Sequence, residues 1–250
     1  MNTYAFLGAG EFETWHTDID RALLEGRAGR ALVFATAAAP EGDDVYSAWV
    51  TKGVEHYRSL GVAVDAPPLR TAADAHDPAV VEELDDTALV FFSGGNPAYL
   101  ASVLAGSPFW RRLQERIADG RTAYAGCSAG VACLCDPTFN SDTDDFERIW
   151  APGLGFFPRV LFAPHWDMVE TWIPGARAFI QAAAPAEGHL IALDERTAMV
   201  GDGETWQVLG AGGVGTPPEA TTGPAGNAGP RPPARPGPAP NPPRPAGFCR

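Results

Sequence analysis

Five short apolar runs, separated by longer stretches of helical periodicity, constrain this chain more than any other feature. Residues 4–7, 31–36, 62–64, 88–92 and 122–125 are hydrophobic on near-successive positions rather than on alternate ones. That is the pattern of strands covered on both faces. Between them, Tyr46, Val50, Val54, Tyr57 and Leu60 recur every three or four residues and give one helix an apolar face. Pro78 opens a second helix at the first-turn position proline tolerates. The segments NPAYLASVL and SPFWRRLQERIADG predict two more, the latter closed by Gly120. Such alternation predicts an α/β fold: a mostly parallel, doubly wound sheet with helices on both faces, built from right-handed βαβ units. Later, RVLFAPH reads as a strand ending at His165 and PGARAFIQAAA as a helix. HLIALDERTAMVGDGETWQVLGAGG reads as two or three strands turning at Gly-Asp-Gly, an antiparallel hairpin added at one edge.

The pattern stops near Gly215. From Thr216 the chain is dominated by Pro, Gly and Ala with almost no aliphatic residues, too little apolar surface to offset the entropy of ordering. One domain over residues 1–215 and a disordered tail over 216–250 are therefore expected. The tail holds four Arg and one Glu, which leaves 14 basic against 30 acidic side chains in the body. A body that acidic repels phosphate backbones and argues against nucleic acid as a partner. Four cysteines, Cys127, Cys133, Cys135 and Cys249, show neither a metal spacing nor a disulfide framework and fit a reducing compartment. MNTYAFLGAGEF lacks a basic, then apolar, leader, and no run approaches the roughly 20 apolar residues of a membrane span. A cytoplasmic protein without membrane association is the expectation.

Ligands of open parallel sheets sit beyond the carboxyl ends of the strands, and three segments converge there: FFSGGN, AGCSAG and FAPHWD. In Gly126-Cys127-Ser128-Ala129-Gly130 a strand meets a helix. The central Ser128 projects at the corner, the glycines let neighbouring backbone pass close, and the helix start offers the N–H of Ala129 to an oxyanion. Cys127, one position earlier, points elsewhere as a buried thiol. A serine hydroxyl needs a base. Of His16, His56, His76, His165 and His189, only His165 follows an apolar strand directly. His56 and His76 read as solvent-exposed, and His16 lies near the N-terminal glycine loop. The orienting carboxylate can come from the acidic loop (Asp142, Asp144, Asp145, Glu147) or from Glu195 in LDERTA, and mechanics alone leaves both open. Gly94 and Gly95 present backbone N–H groups to an anion, with Asn96 starting the next helix. A metal on His165 and Asp167 finds no further ligand at a usual spacing. LGAGEF begins like a dinucleotide loop, but Glu13 stands where the third glycine belongs, so no cofactor is implied.

Taken in order, FLGAGE, FFSGGNPAYL, AGCSAGVACL, FAPHWD and IALDERTAMV resemble the dipeptidase E/cyanophycinase-like family of serine peptidases, whose fold is similar to class I glutamine amidotransferases. The resemblance runs from about Thr3 to Gly213. It implies a metal-free Ser–His–acid site that cleaves small peptides, typically at aspartyl bonds. Carried over, Ser128 matches the nucleophile, His165 the base, Glu195 the acid, and Gly95 and Ala129 the oxyanion donors. The match breaks after the histidine, where family members place a basic residue for the substrate carboxylate. Here Arg177 is a loose counterpart, and Trp166 and Trp172 suggest a more aromatic pocket. The remaining alternatives are an α/β-hydrolase-type esterase using an acid from residues 142–147, and a non-catalytic binding protein.

Overall fold

The computed structural model describes residues 3–143, 145 and 148–216. Beyond Thr216, the tail expected from composition lies outside the described residues. In chain order the first half comprises β1 (Tyr4–Leu7), α1 (Thr17–Leu24), β2 (Arg30–Phe34), α2 (Asp43–Ser59), β3 (Val64–Asp65), α3 (Pro78–Glu82) and β4 (Thr87–Phe92). It continues with α4 (Pro97–Leu104), α5 (Pro108–Ala118), β5 (Ala123–Cys127) and α6 (Ala129–Ala132). The second half adds β6 (Thr138–Phe139), β7 (Trp150–Ala151), β8 (Val160–Ala163), α7 (Trp166–Trp172), α8 (Ala176–Ala182), β9 (His189–Leu193), β10 (Thr197–Gly201), β11 (Trp206–Gly210) and β12 (Val214–Gly215).

A seven-stranded sheet runs β11-β10-β1-β5-β4-β2-β3. The five strands from β1 to β3 in that order are parallel, whereas β10 pairs antiparallel with β1 and β11 with β10. Successive residues of the central strands feed opposite cores. Phe6, Val90, Phe92 and Tyr124 pack on one side, while Ala5, Leu7, Leu89, Phe91, Ala123 and Ala125 pack on the other. Near-continuous apolar sequence is therefore required here, because neither sheet face meets water.

The helices start where their side chains satisfy free N–H groups. Ser107 Oγ accepts from the Trp110 N–H at 3.0 Å ahead of Pro108, and Asn96 Oδ1 accepts from Tyr99 N–H at 3.1 Å ahead of Pro97.

Two expectations need correction. Val62, read as strand, closes α2 instead: its N–H donates to Tyr57 O at 3.0 Å across Gly61, whose φ is +74°. This helix-ending turn delays β3 to Val64. Residues 189–193 are not part of the edge hairpin. β9 pairs parallel with β8 and antiparallel with β12 in a separate three-stranded sheet, and the hairpin consists of β10 and β11 alone. Among the described residues, no helix is long and apolar enough to cross a membrane.

Candidate active site

Ser128 stands at the corner between β5 and α6 with φ +50° and ψ −103°, a conformation L-residues rarely adopt. The two glycines of the pentapeptide are demanded by packing. A Cβ on Gly126 would lie 2.3 Å from Gly130 O, and one on Gly130 would lie 2.3 Å from Phe92 O. The elbow is pinned to the neighbouring strand by Ser128 N–H, which donates to Leu7 O at 3.0 Å. Cys127 is fully buried with its thiol donating to Glu11 Oε2 at 3.0 Å, so it faces away from the crevice. Burial also pushes the Cys133 thiol up, and that of Cys135 to about 12, which keeps both protonated and unreactive.

His165 follows β8 and Pro164 and caps α7 in the left-handed region, φ +56°. Its ring lies between the elbow and the turn after β9. The Ser128 hydroxyl donates to Nε2 at 2.9 Å, and Nδ1–H donates to Glu195 Oε1 at 2.8 Å. Ser128 and His165 are 6% and 8% exposed, whereas the Glu195 side chain keeps 32% exposure. Glu195 is held by its own backbone: its N–H donates to Asp167 Oδ1 at 2.9 Å. Asp167 is thus an anchor of the acid-bearing turn, a role its place in FAPHWD does not reveal.

Two carboxylates of the competing acidic loop are engaged elsewhere. Asp142 Oδ2 accepts from Asn96 Nδ2 at 2.7 Å, and Asp145 pairs with Arg148 at 3.6 Å. Asp144 and Glu147 lie outside the described residues. The glycine loop after β4 divides its duties. Gly94 N–H donates to Glu11 Oε1 at 3.0 Å and is not available to a substrate. Gly95 (φ +135°) and Ala129 have N–H groups with no protein acceptor among the described residues. Asn96 is fully engaged: its Oδ1 caps α4 and its Nδ2 donates to Asn140 and Asp142. Glu11, which bonds both segments, was not singled out from sequence. The available signal was a carboxylate placed at the end of an apolar strand, between Gly10 and Phe12.

Arg177 is likewise committed. Its Nε and one terminal nitrogen donate to Trp166 O at 3.1 and 2.8 Å, with the guanidinium 5.4 Å from the Trp166 ring. Trp172 lies 5.3 Å from the His165 ring.

Away from the elbow, a second imidazole–carboxylate group corrects one expectation. His56 is buried rather than exposed, and His16 lies wholly in the interior. His56 Nε2–H donates to Asp20 Oδ2 at 2.7 Å, His16 Nδ1 lies 2.9 Å from the same oxygen, and Tyr57 hydroxyl donates to Asp20 Oδ1 at 3.0 Å. A tetrahedral ion with bonds of about 2.0–2.1 Å would hold its ligand atoms roughly 3.3 Å apart. The 2.7 Å spacing of His56 and Asp20 is that of a hydrogen bond, and the 2.9 Å approach of His16 to the same oxygen is likewise shorter than two ligands of one ion would stand. Burial pushes the Asp20 carboxyl up, but the nearness of His16 and His56 outweighs it and holds the group below its ordinary value.

The model of peptidase family S51 matches residues 6–209. A cyanophycinase from Nostoc sp. is 25% identical over 215 residues, 83% of this chain and 70% of that protein. One from Synechococcus elongatus is 27% identical over 165 residues, 63% of this chain and half of the relative. The crystal structure of a peptidase from an acI-B1 actinobacterium superposes with a TM-score of 0.76 at 31% identity, covering 85% of this chain and 89% of that one. A Listeria monocytogenes protein bearing the name peptidase E superposes at 0.57 with 16% identity, over 84% and 98% of the two chains, a likeness of fold alone.

Proposed function

The chain belongs to peptidase family S51 and is a serine peptidase, and from that premise we propose that Ser128 is its nucleophile, His165 its general base and Glu195 the carboxylate that orients the base. The observation that carries this reading is the unbroken relay from Glu195 Oε1 through the imidazole to Ser128 Oγ, 2.8 and 2.9 Å. Ser128 Oγ attacks the scissile carbonyl carbon as its proton passes to His165 Nε2. Glu195 steadies the imidazolium and keeps Nδ1 protonated, so that Nε2 is the basic nitrogen. The Gly95 and Ala129 N–H groups receive the oxyanion. The imidazolium then protonates the departing amine, leaving an acyl-enzyme. Water attacks the acyl carbon with His165 again as base, releasing the carboxylate product and the serine.

The substrate we infer is a short peptide without preference for aspartyl residues. A guanidinium free to pair with a substrate carboxylate would be the basis of such a preference, and Arg177 is spent on the Trp166 and Asp167 carbonyls at the start of the neighbouring α7. The aromatic surface of Trp172 beside the base favours neutral or apolar groups instead. Buried thiols with no disulfide among the described residues fit a reducing compartment such as the cytoplasm. The Asp142 bond to Asn96 engages one carboxylate of the loop and supports Glu195 as the acid over the esterase alternative.

A fluorophosphonate probe tests the assignment. It should modify Ser128, and Ser128→Ala should abolish labelling and lower kcat by about 10³–10⁶-fold with the fold retained. Modification at Cys127, or none in the unaltered chain, would overturn it.

A further inference from the structure

A second carboxylate lies beneath the reaction centre and is not part of the relay. Glu11 follows β1 and is 2% exposed. Its two oxygens reach two different segments: Oε1 accepts the Gly94 N–H and Oε2 accepts the Cys127 thiol, each at 3.0 Å. Gly94 immediately precedes Gly95, and Cys127 stands two residues before Ala129. One carboxylate therefore grips both strand ends that carry the oxyanion donors.

The remaining contacts of the glycine loop lead the other way. Ser93 N–H donates to Phe34 O at 3.0 Å and Asn96 N–H to Ala37 O at 2.8 Å, both on the β2 side of the sheet. Glu11 supplies the bridge toward β5. The backbone is shaped to turn this side chain inward. Phe12 adopts φ +60°, an outlier for a bulky residue, and its ring locks the loop 4.6 Å from Phe91. Trp15 Nε1–H fastens the preceding turn to Gly10 O at 2.7 Å. Among the described residues no cation pairs with Glu11, so the chain bears a buried carboxylate where apolar filler would be less costly. Strain at Phe12 beside an expensive buried group at Glu11 marks a position where geometry serves function.

We propose that Glu11 is a positioning residue for the oxyanion hole, tying the Gly94–Gly95 loop to the Ser128 elbow and so setting the distance between the Gly95 and Ala129 N–H groups. The proposal rests on the reading of Ser128 as nucleophile. Oxyanion donors act at 2.7–3.1 Å, and a displacement of about 1 Å costs on the order of 10²-fold in rate.

Two variants test it. Glu11→Met fills the same space but accepts nothing, whereas Glu11→Gln keeps an oxygen for Gly94 N–H. Glu11→Met should lower kcat by about 30–100-fold with KM changed less than about threefold. A peptide aldehyde, which forms an oxyanion adduct on the serine, should lose affinity by a similar factor while a product peptide does not. Glu11→Gln should stay within about fivefold of the parent in all three measures. Parental kcat in Glu11→Met, a loss confined to KM, or equal losses in both variants would overturn the assignment. If Glu11→Met does not fold, Glu11→Ala takes its place, and failure of both to fold would show the carboxylate to be purely structural and overturn it too. Labelling of the unaltered chain separates the two proposals. An unlabelled Ser128 removes both, whereas a labelled Ser128 with parental kcat in Glu11→Met removes only this one.

Discussion

The molecule contains two buried imidazole–carboxylate groups of nearly equal bond length, His165–Glu195 at 2.8 Å and His56–Asp20 at 2.7 Å, in opposite settings. Asp20 and His56 sit on regular helices, and the Asp20 oxygens are saturated by His56 and Tyr57 with His16 alongside. Glu195 instead holds one imidazole and stays partly open, and the far nitrogen of that ring meets a hydroxyl. The backbone differs as well. Positive φ occurs at Ser128, His165 and Arg196, around the first group, whereas His56 lies inside α2 and Asp20 inside α1. A short, buried histidine–carboxylate bond is therefore no mark of catalysis by itself. What separates the pairs is the third partner and the strain accepted to aim it.

The same substitution applied to both carboxylates gives the largest contrast. Glu195→Gln should lower kcat by about 10²–10⁴-fold, because the amide no longer favours the tautomer with Nε2 free or stabilises the imidazolium. Asp20→Asn should leave kcat per folded molecule within about twofold of the parent, since Asp20 touches nothing in the crevice. Asp142→Asn is the internal control, expected within about fivefold because its oxygen accepts from Asn96 rather than His165. Active-site titration followed by steady-state assay reads all three. A large kcat loss in Asp142→Asn with a small one in Glu195→Gln would transfer the acid to the loop, and a large one in Asp20→Asn would erase the contrast.

Much of the first group was legible in the sequence, and almost none of the second. The elbow announces itself because close backbone approach at Gly126 and Gly130 demands glycine at fixed offsets from the projected serine. His165 is visible because β8 ends in Ala163-Pro164 and fixes where the next side chain emerges. The parallel sheet was readable for the same kind of local reason, since each central strand must be apolar on both faces. Periodicity fails for His56. It lies between Glu55 and Tyr57 in an amphipathic helix, and only the arrival of Asp20 from 36 residues away makes a buried imidazole tolerable there. Glu11 was hidden likewise: its partners Gly94 and Cys127 come from two other strand ends. The exclusion of β9 from the edge hairpin depends on pairing with β8, and no local pattern encodes that choice.

If the second group is structural, its signature should be stability. Asp20 is joined by two histidines and a tyrosine in the interior, so Asp20→Asn leaves a neutral amide facing donors it can only partly accept. Removing one member of a buried ionic network costs about 3–5 kcal/mol, and the remaining amide oxygen should hold the loss near the lower figure. For a domain of this size that corresponds to a melting temperature lower by roughly 6–12 °C. Calorimetry of the parent and variant checks this. A shift below about 2 °C would show that the cluster contributes little to the fold.

The smallest effect sharpens the comparison through pH. The Asp20 carboxyl is held below its ordinary value in the folded chain, because the pull of His16 and His56 exceeds the opposing push of burial. The unfolded chain therefore takes up the proton first as pH falls. The contribution to stability is complete above the unfolded value and is lost as pH drops through the lower, folded one. Asp20→Asn has no such proton to bind. In urea melts taken at successive pH values, the gap between parent and variant should be widest above about pH 5 and should narrow below about pH 4, by on the order of 1 kcal/mol for each unit the folded carboxyl is depressed. Titrations remote from this cluster cancel in the difference, so the narrowing reports Asp20 together with the histidines it contacts. A gap that stays constant down to about pH 3 would mean that the carboxylate gains nothing from its histidines. The contrast between a saturated pair and an open one bonded to Ser128 would then have to rest on geometry alone.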